Sequence, residues 1–205
     1  FTPPEILDAD LSGLLLDCAA FGVADPASLA FLDPPPPPAL KEARSLLTAL
    51  HAIDSDGRLT DAGTAMRKLA LPVRLAHMVA EAARADLAME AAQLAVLLTE
   101  RGLGGDSADL ERRVSRFAAE RSTRATAARE LAKRLARTAG GGKTNVVHGQ
   151  FNGVSPGSLL LHAWPDRVAK ARGERGRFLL ANGSGAMVDA ADPLAGETYL
   201  VVADL

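Results

Sequence analysis

The sequence of 205 residues is poor in the residues that define several protein classes. It has one cysteine, one tryptophan and one tyrosine, and aromatic residues make up 4% of it. A single cysteine excludes a disulfide framework and a cysteine-based zinc ribbon, and it fits a reducing compartment such as the cytoplasm. No run approaches the roughly 18 apolar residues of a membrane-spanning helix, so we expect no membrane partner. The chain begins at Phe1 rather than Met, and we therefore expect it to be part of a longer protein.

Charge is present in nearly balanced amounts but is unevenly distributed. Residues 1–66 contain ten acidic and three basic side chains, a net charge of −7. Residues 67–150 contain nine acidic and fifteen basic side chains (net +6), and residues 151–205 contain six and five (net −1). Such blocks indicate modules that present different surfaces to their partners.

The acidic block reads as short helices followed by a hairpin. A helix with apolar residues at helical spacing ends at Gly22, and Asp25-Pro26 opens a short one. Pro38 begins the next helix, Asp56-Gly57 is typical of a hairpin turn, and Thr60 caps a further helix. Helix, short helix, helix and hairpin is the order of a winged helix, which we assign to residues 1–68.

The basic block is predicted to be helical throughout. Four amphipathic segments with short connections are expected. The first opens at Pro72 and turns Leu75, Met78, Val79 and Ala82 inward, and the others lie near residues 87–100, 108–120 and 123–138. Antiparallel helices with short loops form bundles, so residues 69–138 are predicted to be a helical bundle. The fold class is therefore mainly α.

Residues 139–155 are predicted to be a linker, because Gly140-Gly141-Gly142 stops the last helix and polar residues follow. Residues 158–163 are expected to form a short helix or strand. Asn182-Gly183 predicts a hairpin with a type I′ turn, and residues 198–203 a further strand. Residues 156–205 thus form a β-rich segment with too few strands for a closed barrel, either an incomplete domain or an OB-like one.

No catalytic, cofactor-binding or metal-binding set emerges. The run Gly140-Gly141-Gly142-Lys143-Thr144 ends like a phosphate-binding loop, but the position of its first glycine is Arg137 and it follows a helix instead of a strand. The four histidines are isolated, whereas a metal site needs several converging donors. Cys18 lies on an apolar helical stripe, as a core residue would.

The most informative feature is a group of nine basic residues between positions 111 and 137. Arg129, Lys133 and Arg137 fall at i, i+4 and i+8, in one row along the last helix of the bundle. Such a row can follow the phosphates of a nucleic acid, with salt-dependent affinity. It can equally be an ordinary solvated face with Glu130 and Arg134 paired. A second basic group (Lys170, Arg172, Arg175, Arg177) has the same two interpretations.

Several phrases, in order along the chain, resemble the region that follows the two motor domains of bacterial HrpB-type ATP-dependent helicases, a branch of the DEAH-box group. They are residues 4–7, 9–17 (ADLSGLLLD), 39–50, 56–60 (DGRLT), 74–78 (RLAHM), 164–169 (WPDRVA), 176–183 (GRFLLANG) and 192–197 (DPLAGE). The resemblance implies a winged helix, a helical ratchet domain that lines the channel for single-stranded nucleic acid, and a segment beyond them. It also implies that ATP and Mg²⁺ are bound by the motor domains of the parent protein.

The resemblance predicts a non-catalytic accessory region of a bacterial RNA helicase. Its expected partners are the motor domains of the same polypeptide and single-stranded RNA or DNA, with phosphate contacts from Arg129, Lys133 and Arg137. Two alternatives remain: a winged-helix DNA-binding regulator, and a protein-interaction scaffold that binds no nucleic acid. The sequence has neither a Walker A loop nor a DEAH motif, so we expect the chain alone not to hydrolyse ATP.

Overall fold

The computed structural model describes residues 4–140 and 153–203, and these form two compact units, Phe1–Ala80 and Glu81–Leu205. Within the described residues there are eight α-helices and one antiparallel sheet of four strands. The coarse prediction of a mainly helical chain with a small β-rich end is confirmed. Much of the predicted linker, residues 139–155, lies outside the described residues.

The first unit contains α1 (Ser12–Ala20), α2 (Pro37–Ala49) and α3 (Asp61–Arg67), with α1 packed against both others. The Asp10 carboxylate accepts a hydrogen bond from the Ser12 N–H at 2.8 Å, which satisfies one of the N–H groups that lack an intrahelical partner at the start of α1. Leu15, Leu47 and Met66, one from each helix, are at most 2% exposed. Their burial ties the three helices into one core.

The predicted hairpin between α2 and α3 is reduced to one bridge, between Ile53 and Leu59. The Asp54 carboxylate accepts hydrogen bonds from the N–H groups of Asp56 and Arg58, which fixes the turn. Thr60 caps α3 as predicted, since its hydroxyl oxygen accepts a hydrogen bond from the Gly63 N–H at 3.0 Å. The turn therefore places α3 without a developed wing.

Helix α4 (Val73–Ala83) contains residues of both units. The first intrahelical carbonyl is that of Pro72, which accepts from the Ala76 N–H at 2.9 Å, so the proline precedes the helix. The four residues predicted to face inward are all buried: Leu75, Met78, Val79 and Ala82. The apolar periodicity of this segment was sufficient to identify its buried face.

The helical part of the second unit consists of α5 (Ala88–Thr99), α6 (Leu110–Ala119) and α7 (Thr123–Thr138). Helix α5 packs against both α6 and α7 and is buried on nearly every side. Helix α7 buries an alanine-rich face on which Ala125, Ala132 and Ala136 are fully inaccessible. Small side chains on both α5 and α7 allow the two backbones to approach closely.

The β-rich end consists of α8 (Pro156–Ala163) and four short strands: β1 (Val168–Ala171), β2 (Arg177–Leu180), β3 (Gly185–Met187) and β4 (Tyr199–Val201). Their order in the sheet is β3-β2-β1-β4, and all neighbours are antiparallel. One face buries Ala169, Phe178 and Leu180, and α8 packs against β4. The sequence did not predict β1.

The predicted β2–β3 hairpin is present, but the prediction of a type I′ turn at Asn182-Gly183 is wrong. A type I′ turn needs positive φ at both central residues, and in this loop only Gly183 has one, at 88°. The Gly183 N–H donates to the Leu180 carbonyl at 2.9 Å, and the Leu180 N–H donates to the Ser184 carbonyl at 2.8 Å. The chain thus makes an ordinary tight turn and uses Gly183 as the following left-handed residue.

Candidate nucleic-acid interface

The predicted row Arg129, Lys133 and Arg137 lies along α7, and its residues differ in exposure. Ser122 caps this helix through a hydrogen bond from the Ala125 N–H at 3.0 Å. Arg129 and Lys133 border the buried alanine face and are half-buried, whereas Arg137 is exposed. The row therefore runs from the edge of the core towards solvent.

Arg129 is bound to the end of the neighbouring helix α6. Its Nη1 donates to the carbonyl oxygens of Phe117 at 2.8 Å and Glu120 at 2.9 Å, and its Nη2 to the Thr126 hydroxyl at 3.2 Å. The guanidinium also lies 5.6 Å from the centre of the Phe117 ring. The last carbonyls of a helix lack intrahelical donors and carry partial negative charge, so a cation there is favourable. Arg129 thus caps α6.

Lys133 and Arg137 are held much more loosely. The Lys133 ammonium lies 2.8 Å from Glu130, and Arg137 Nε donates to the Lys133 carbonyl at 3.3 Å. The hydrogen bond from Lys133, and then its charge, lower the pKa of the Glu130 carboxyl. Exposed ion pairs of this kind contribute little stability. Both side chains can therefore be redirected to an external phosphate at small cost.

Two further arginines of the basic group hold the connection between α5 and α6. Arg113 Nη2 donates to the carbonyls of Leu97 at 2.7 Å and Leu103 at 3.3 Å. Arg124 Nη2 donates to the Arg101 carbonyl at 2.6 Å and lies 3.4 Å from the Glu100 carboxylate. Sequence reasoning treated these bases as surface charge, because no local pattern reveals a partner ten or more residues away.

The remaining charge of the group is exposed. Arg112 lies 3.4 Å from the Asp109 carboxylate. The side chains of Arg116, Arg121 and Arg134 are exposed, and within the described residues they form no hydrogen bond or ion pair. Arg134 adjoins Lys133 and follows Glu130 by four residues. The bases of this group that remain available to a ligand are therefore Lys133, Arg134 and Arg137 on α7, together with Arg116 and Arg121.

The second basic group lies on and beside the sheet. Arg177 pairs with Glu174 at 3.2 Å, and Arg175 Nε donates to the Ala190 carbonyl at 3.0 Å. The Lys170 ammonium lies 5.9 Å from the centre of the Tyr199 ring. Arg172 has an exposed side chain.

Other candidate chemistry has little support in the described ranges. Across residues 4–140 and 153–203, no three or more His, Cys, Asp or Glu side chains come together as metal ligands would. In the same ranges no helix is both long and apolar enough to cross a bilayer. Cys18 is a core residue, as predicted, and burial, followed by the charge of Asp17, raises the pKa of its thiol. Of the glycine-rich run at residues 140–144, which ends like a phosphate-binding loop, only Gly140 lies within the described residues.

Comparison with known proteins finds that this chain is similar to segments of RNA helicases. No protein-family model matches it. It is 39% identical over 198 residues to the ATP-dependent RNA helicase HrpB of Escherichia coli. The aligned region makes up 97% of this chain and 23% of that protein. The human ATP-dependent RNA helicase homolog DQX1 is 34% identical over 96 residues, 47% of the chain and 13% of that protein.

Solved structures agree with the sequence comparison. The crystal structure of the E. coli DExH-box NTPase HrpB matches with a TM-score of 0.80 and 36% identity, over 98% of this chain and 23% of that one. A second structure, of the E. coli DEAH/RHA helicase HrpB, gives a TM-score of 0.77 at 36% identity, over 98% and 24%. The chain thus spans about a quarter of these relatives. The predicted resemblance is confirmed: over almost its whole length, the chain is homologous to a segment of the HrpB-type ATP-dependent helicases of the DEAH-box group.

Proposed function

We propose that this chain is a non-catalytic accessory region of a bacterial ATP-dependent RNA helicase. In this proposal it follows the two motor domains, braces them and contacts single-stranded nucleic acid. The observation that carries the proposal is the match of 97% of the chain to a segment of a protein named as an ATP-dependent RNA helicase. The ATP and Mg²⁺ of the intact helicase would then bind to motor domains elsewhere in the polypeptide.

The proposed division of labour follows the order of elements. Residues 1–68 would act as a winged-helix domain, residues 69–138 as a ratchet-like bundle, and residues 156–205 as an OB-like segment. The net charge of −7 on residues 1–66 supports a protein-facing brace, because an acidic surface repels a duplex backbone. This argues against a groove-reading regulator.

The proposed nucleic-acid contact is the row Arg129, Lys133 and Arg137 on α7. Lys133 and Arg137 would bind phosphates directly, since their present partners are weak and exposed. Arg134 is available beside them, and Arg129 would anchor the buried end of the row through its bonds to α6. The scarcity of aromatic residues near α7 predicts contact with the backbone rather than with stacked bases.

The test is the binding of fluorescently labelled single-stranded RNA to the whole chain, measured by anisotropy at several salt concentrations. Changing Lys133, Arg134 and Arg137 together to Ala should weaken binding at low salt at least tenfold. It should also reduce the salt slope, by about 0.7 for each phosphate of the single strand that the variant no longer neutralises. Arg129→Ala is measured separately, because it also removes the cap of α6.

The matched control removes the same number of positive charges from the first compact unit, Phe1–Ala80. In it the exposed residues Lys41, Arg58 and Lys68 are changed to Ala. It should leave RNA affinity nearly unchanged. Equal affinities of the two triple variants, or binding that does not depend on salt, would contradict the contact. ATP turnover by this chain alone, for which we expect none, would contradict the accessory role, and sequence-specific binding of duplex DNA would favour the regulator.

A further inference from the structure

Five consecutive prolines, at positions 34–38, lead into helix α2. Pro37 and Pro38 form the first turn of the helix, where a proline costs no hydrogen bond because the N–H groups of that turn have no intrahelical acceptor. Pro35 is buried, whereas Pro34 is exposed. The start of the helix and the packing beside it therefore account for three of the five prolines.

The proline in the middle of the run is not needed for the helix. Pro36 precedes α2 with φ of −61° and ψ of 130°, and its carbonyl accepts a hydrogen bond from the Leu40 N–H at 3.1 Å. Many residues adopt this extended conformation and offer the same carbonyl. Ser, Thr, Asp or Asn would also accept a hydrogen bond from the first turn through the side chain, a cap that α2 lacks. Pro36 thus gives up a stabilising cap and keeps the run unbroken.

An unbroken run of prolines is a poor substrate for peptide-bond formation. In this step the nitrogen of the incoming aminoacyl-tRNA attacks the ester carbonyl of the peptidyl-tRNA. The C–N bond forms, the ester C–O bond breaks, and the proton that the nitrogen loses passes to the departing ribose hydroxyl. The proline nitrogen is a secondary amine in a ring with φ fixed near −65°, so neither proline can turn freely to align the attack. The chain behind them is a stiff polyproline II helix, which leaves no slack.

The position of the run determines what has left the ribosome when this step is slow. An extended chain advances about 3.3 Å per residue, so an exit tunnel about 100 Å long holds roughly 30 residues. With Pro36 at the site of peptide-bond formation, helix α1 is still inside the tunnel. The part of the polypeptide before α1 is outside, and in the proposed function that part contains the two motor domains.

We infer that the proline run at positions 34–38 is a translational pause site, which delays synthesis of the accessory region while the domains before it fold. The timing role rests on the proposed function, because the motor domains precede this chain only in that proposal, whereas the pause itself does not depend on it. Synthesis proceeds at roughly 5–20 residues per second, so a pause of about five seconds equals roughly 25–100 residues of synthesis.

The pause is tested by mapping ribosome positions with reverse transcriptase on an mRNA that encodes the chain. Translation is carried out in a reconstituted system without the elongation factor that rescues ribosomes stalled at prolines. A strong stop is expected within the run, and adding the factor should weaken it. Pro36→Ser leaves only two pairs of prolines and should reduce the stop roughly fivefold, because the rigid run is interrupted. This readout reports where ribosomes stand and does not depend on whether the variant folds.

The matched control is Pro34→Ser, the same substitution at the exposed end of the run. It leaves four consecutive prolines and should keep the stop. Synonymous codons at all five positions should also keep it, since the peptide and not the mRNA causes the delay. A stop that persists in Pro36→Ser, that is lost with synonymous codons, or that does not respond to the factor would overturn the pause.

The timing role is tested in the intact polypeptide. Pro36→Ser should keep the chain stable in urea denaturation, because serine can cap α2, yet it should lower the soluble fraction of newly made intact protein roughly twofold. Pro34→Ser should leave that fraction unchanged. Equal soluble fractions of the two variants, or a loss of stability in Pro36→Ser that explains the lower fraction, would overturn the timing role. Failure of the RNA-binding test of α7 would overturn the nucleic-acid contact without moving the stop, so the two proposals fail separately.

Discussion

The two basic groups of this chain use their arginines differently. In the first group, between positions 111 and 137, Arg113, Arg124 and Arg129 donate to main-chain carbonyls at or just beyond the ends of α5 and α6. In the second group, Lys170 and Arg172 lie on the open face of a sheet beside Tyr199. Helix ends leave carbonyls without donors, whereas strands bond theirs to neighbouring strands. Helix ends therefore offer acceptors to nearby arginines, whereas on the sheet Arg175 finds such a carbonyl only in a loop, that of Ala190.

The largest loss of stability that sharpens this comparison is expected in the loop between α5 and α6, where Arg113 donates a hydrogen bond to the Leu103 carbonyl. Gly104 has φ of +68°, and an added Cβ would lie 2.3 Å from the Arg113 carbonyl oxygen. Gly104→Ala should lower the free energy of unfolding by about 3 kcal/mol, because backbone strain and overpacking combine. Urea denaturation measures this loss.

The control for this variant is Gly102→Ala. Gly102 also has a positive φ, of +79°, but the nearest atom to its added Cβ is Arg124 Nη1 at 3.9 Å. This variant should show only the cost of the strain, about 1–2 kcal/mol. Equal losses of stability at the two glycines would show that the loop does not pack tightly against Arg113.

The next effect concerns the cap of α6. Arg129→Ala removes two bonds to main-chain carbonyls and the interaction with the Phe117 ring. It should cost about 2 kcal/mol of stability, as expected for hydrogen bonds from a charged donor. Arg134→Ala on the same helix should change stability by less than about 0.5 kcal/mol. Similar effects of the two changes in urea denaturation would mean that the cap contributes little.

The smallest change in stability is expected on the sheet, where the substitution should not destabilise the chain. The Arg172 N–H donates to the Arg177 carbonyl at 2.9 Å, next to the Ala171–Phe178 pair, so these two arginines lie opposite each other. Arg172→Gln removes one of the two charges without shortening the side chain greatly. Stability should stay the same or rise, by at most about 0.5 kcal/mol, because repulsion across the strand pair is relieved. Thermal unfolding of the chain at low salt is the measurement. A loss comparable with that of Arg129→Ala would remove the distinction between the two groups.

Helix bounds were predictable where local signals agree. Helix α7 was predicted over residues 123–138, and the structure places it at Thr123–Thr138. Ser122 caps its start and Gly140, with φ of 98°, follows its end. Because capping depends on residues next to the helix, the sequence contains the information that defines both ends.

Strand β1 was not predictable in the same way. Its sequence, Val-Ala-Lys-Ala, has one β-branched residue and no strong alternation, and it becomes a strand because β2 and β4 pair with its two edges. The turn at Gly183 shows the same limit, because the register of the strands, not the Asn-Gly pair alone, decides which residues form it.

The candidate site was predictable in composition but not in detail. The spacing of Arg129, Lys133 and Arg137 identified a row on one helix. It could not reveal that Arg129 reaches the carbonyls of Phe117 and Glu120, because those hydrogen bonds depend on how α6 and α7 pack. The phosphate contacts of the row stay a prediction.

The strand order β3-β2-β1-β4 also determines in which order the two edges of β1 can be paired during synthesis. Strand β1 can join β2 as soon as the hairpin region emerges from the ribosome, but its other edge has to wait until Tyr199–Val201 has been translated. Until then the hydrophobic side of a three-stranded ribbon lacks Leu200, and Lys170 has no ring beside it. Strand β4 is therefore the element that covers the second edge of β1, and the same pairing places the Tyr199 ring near Lys170.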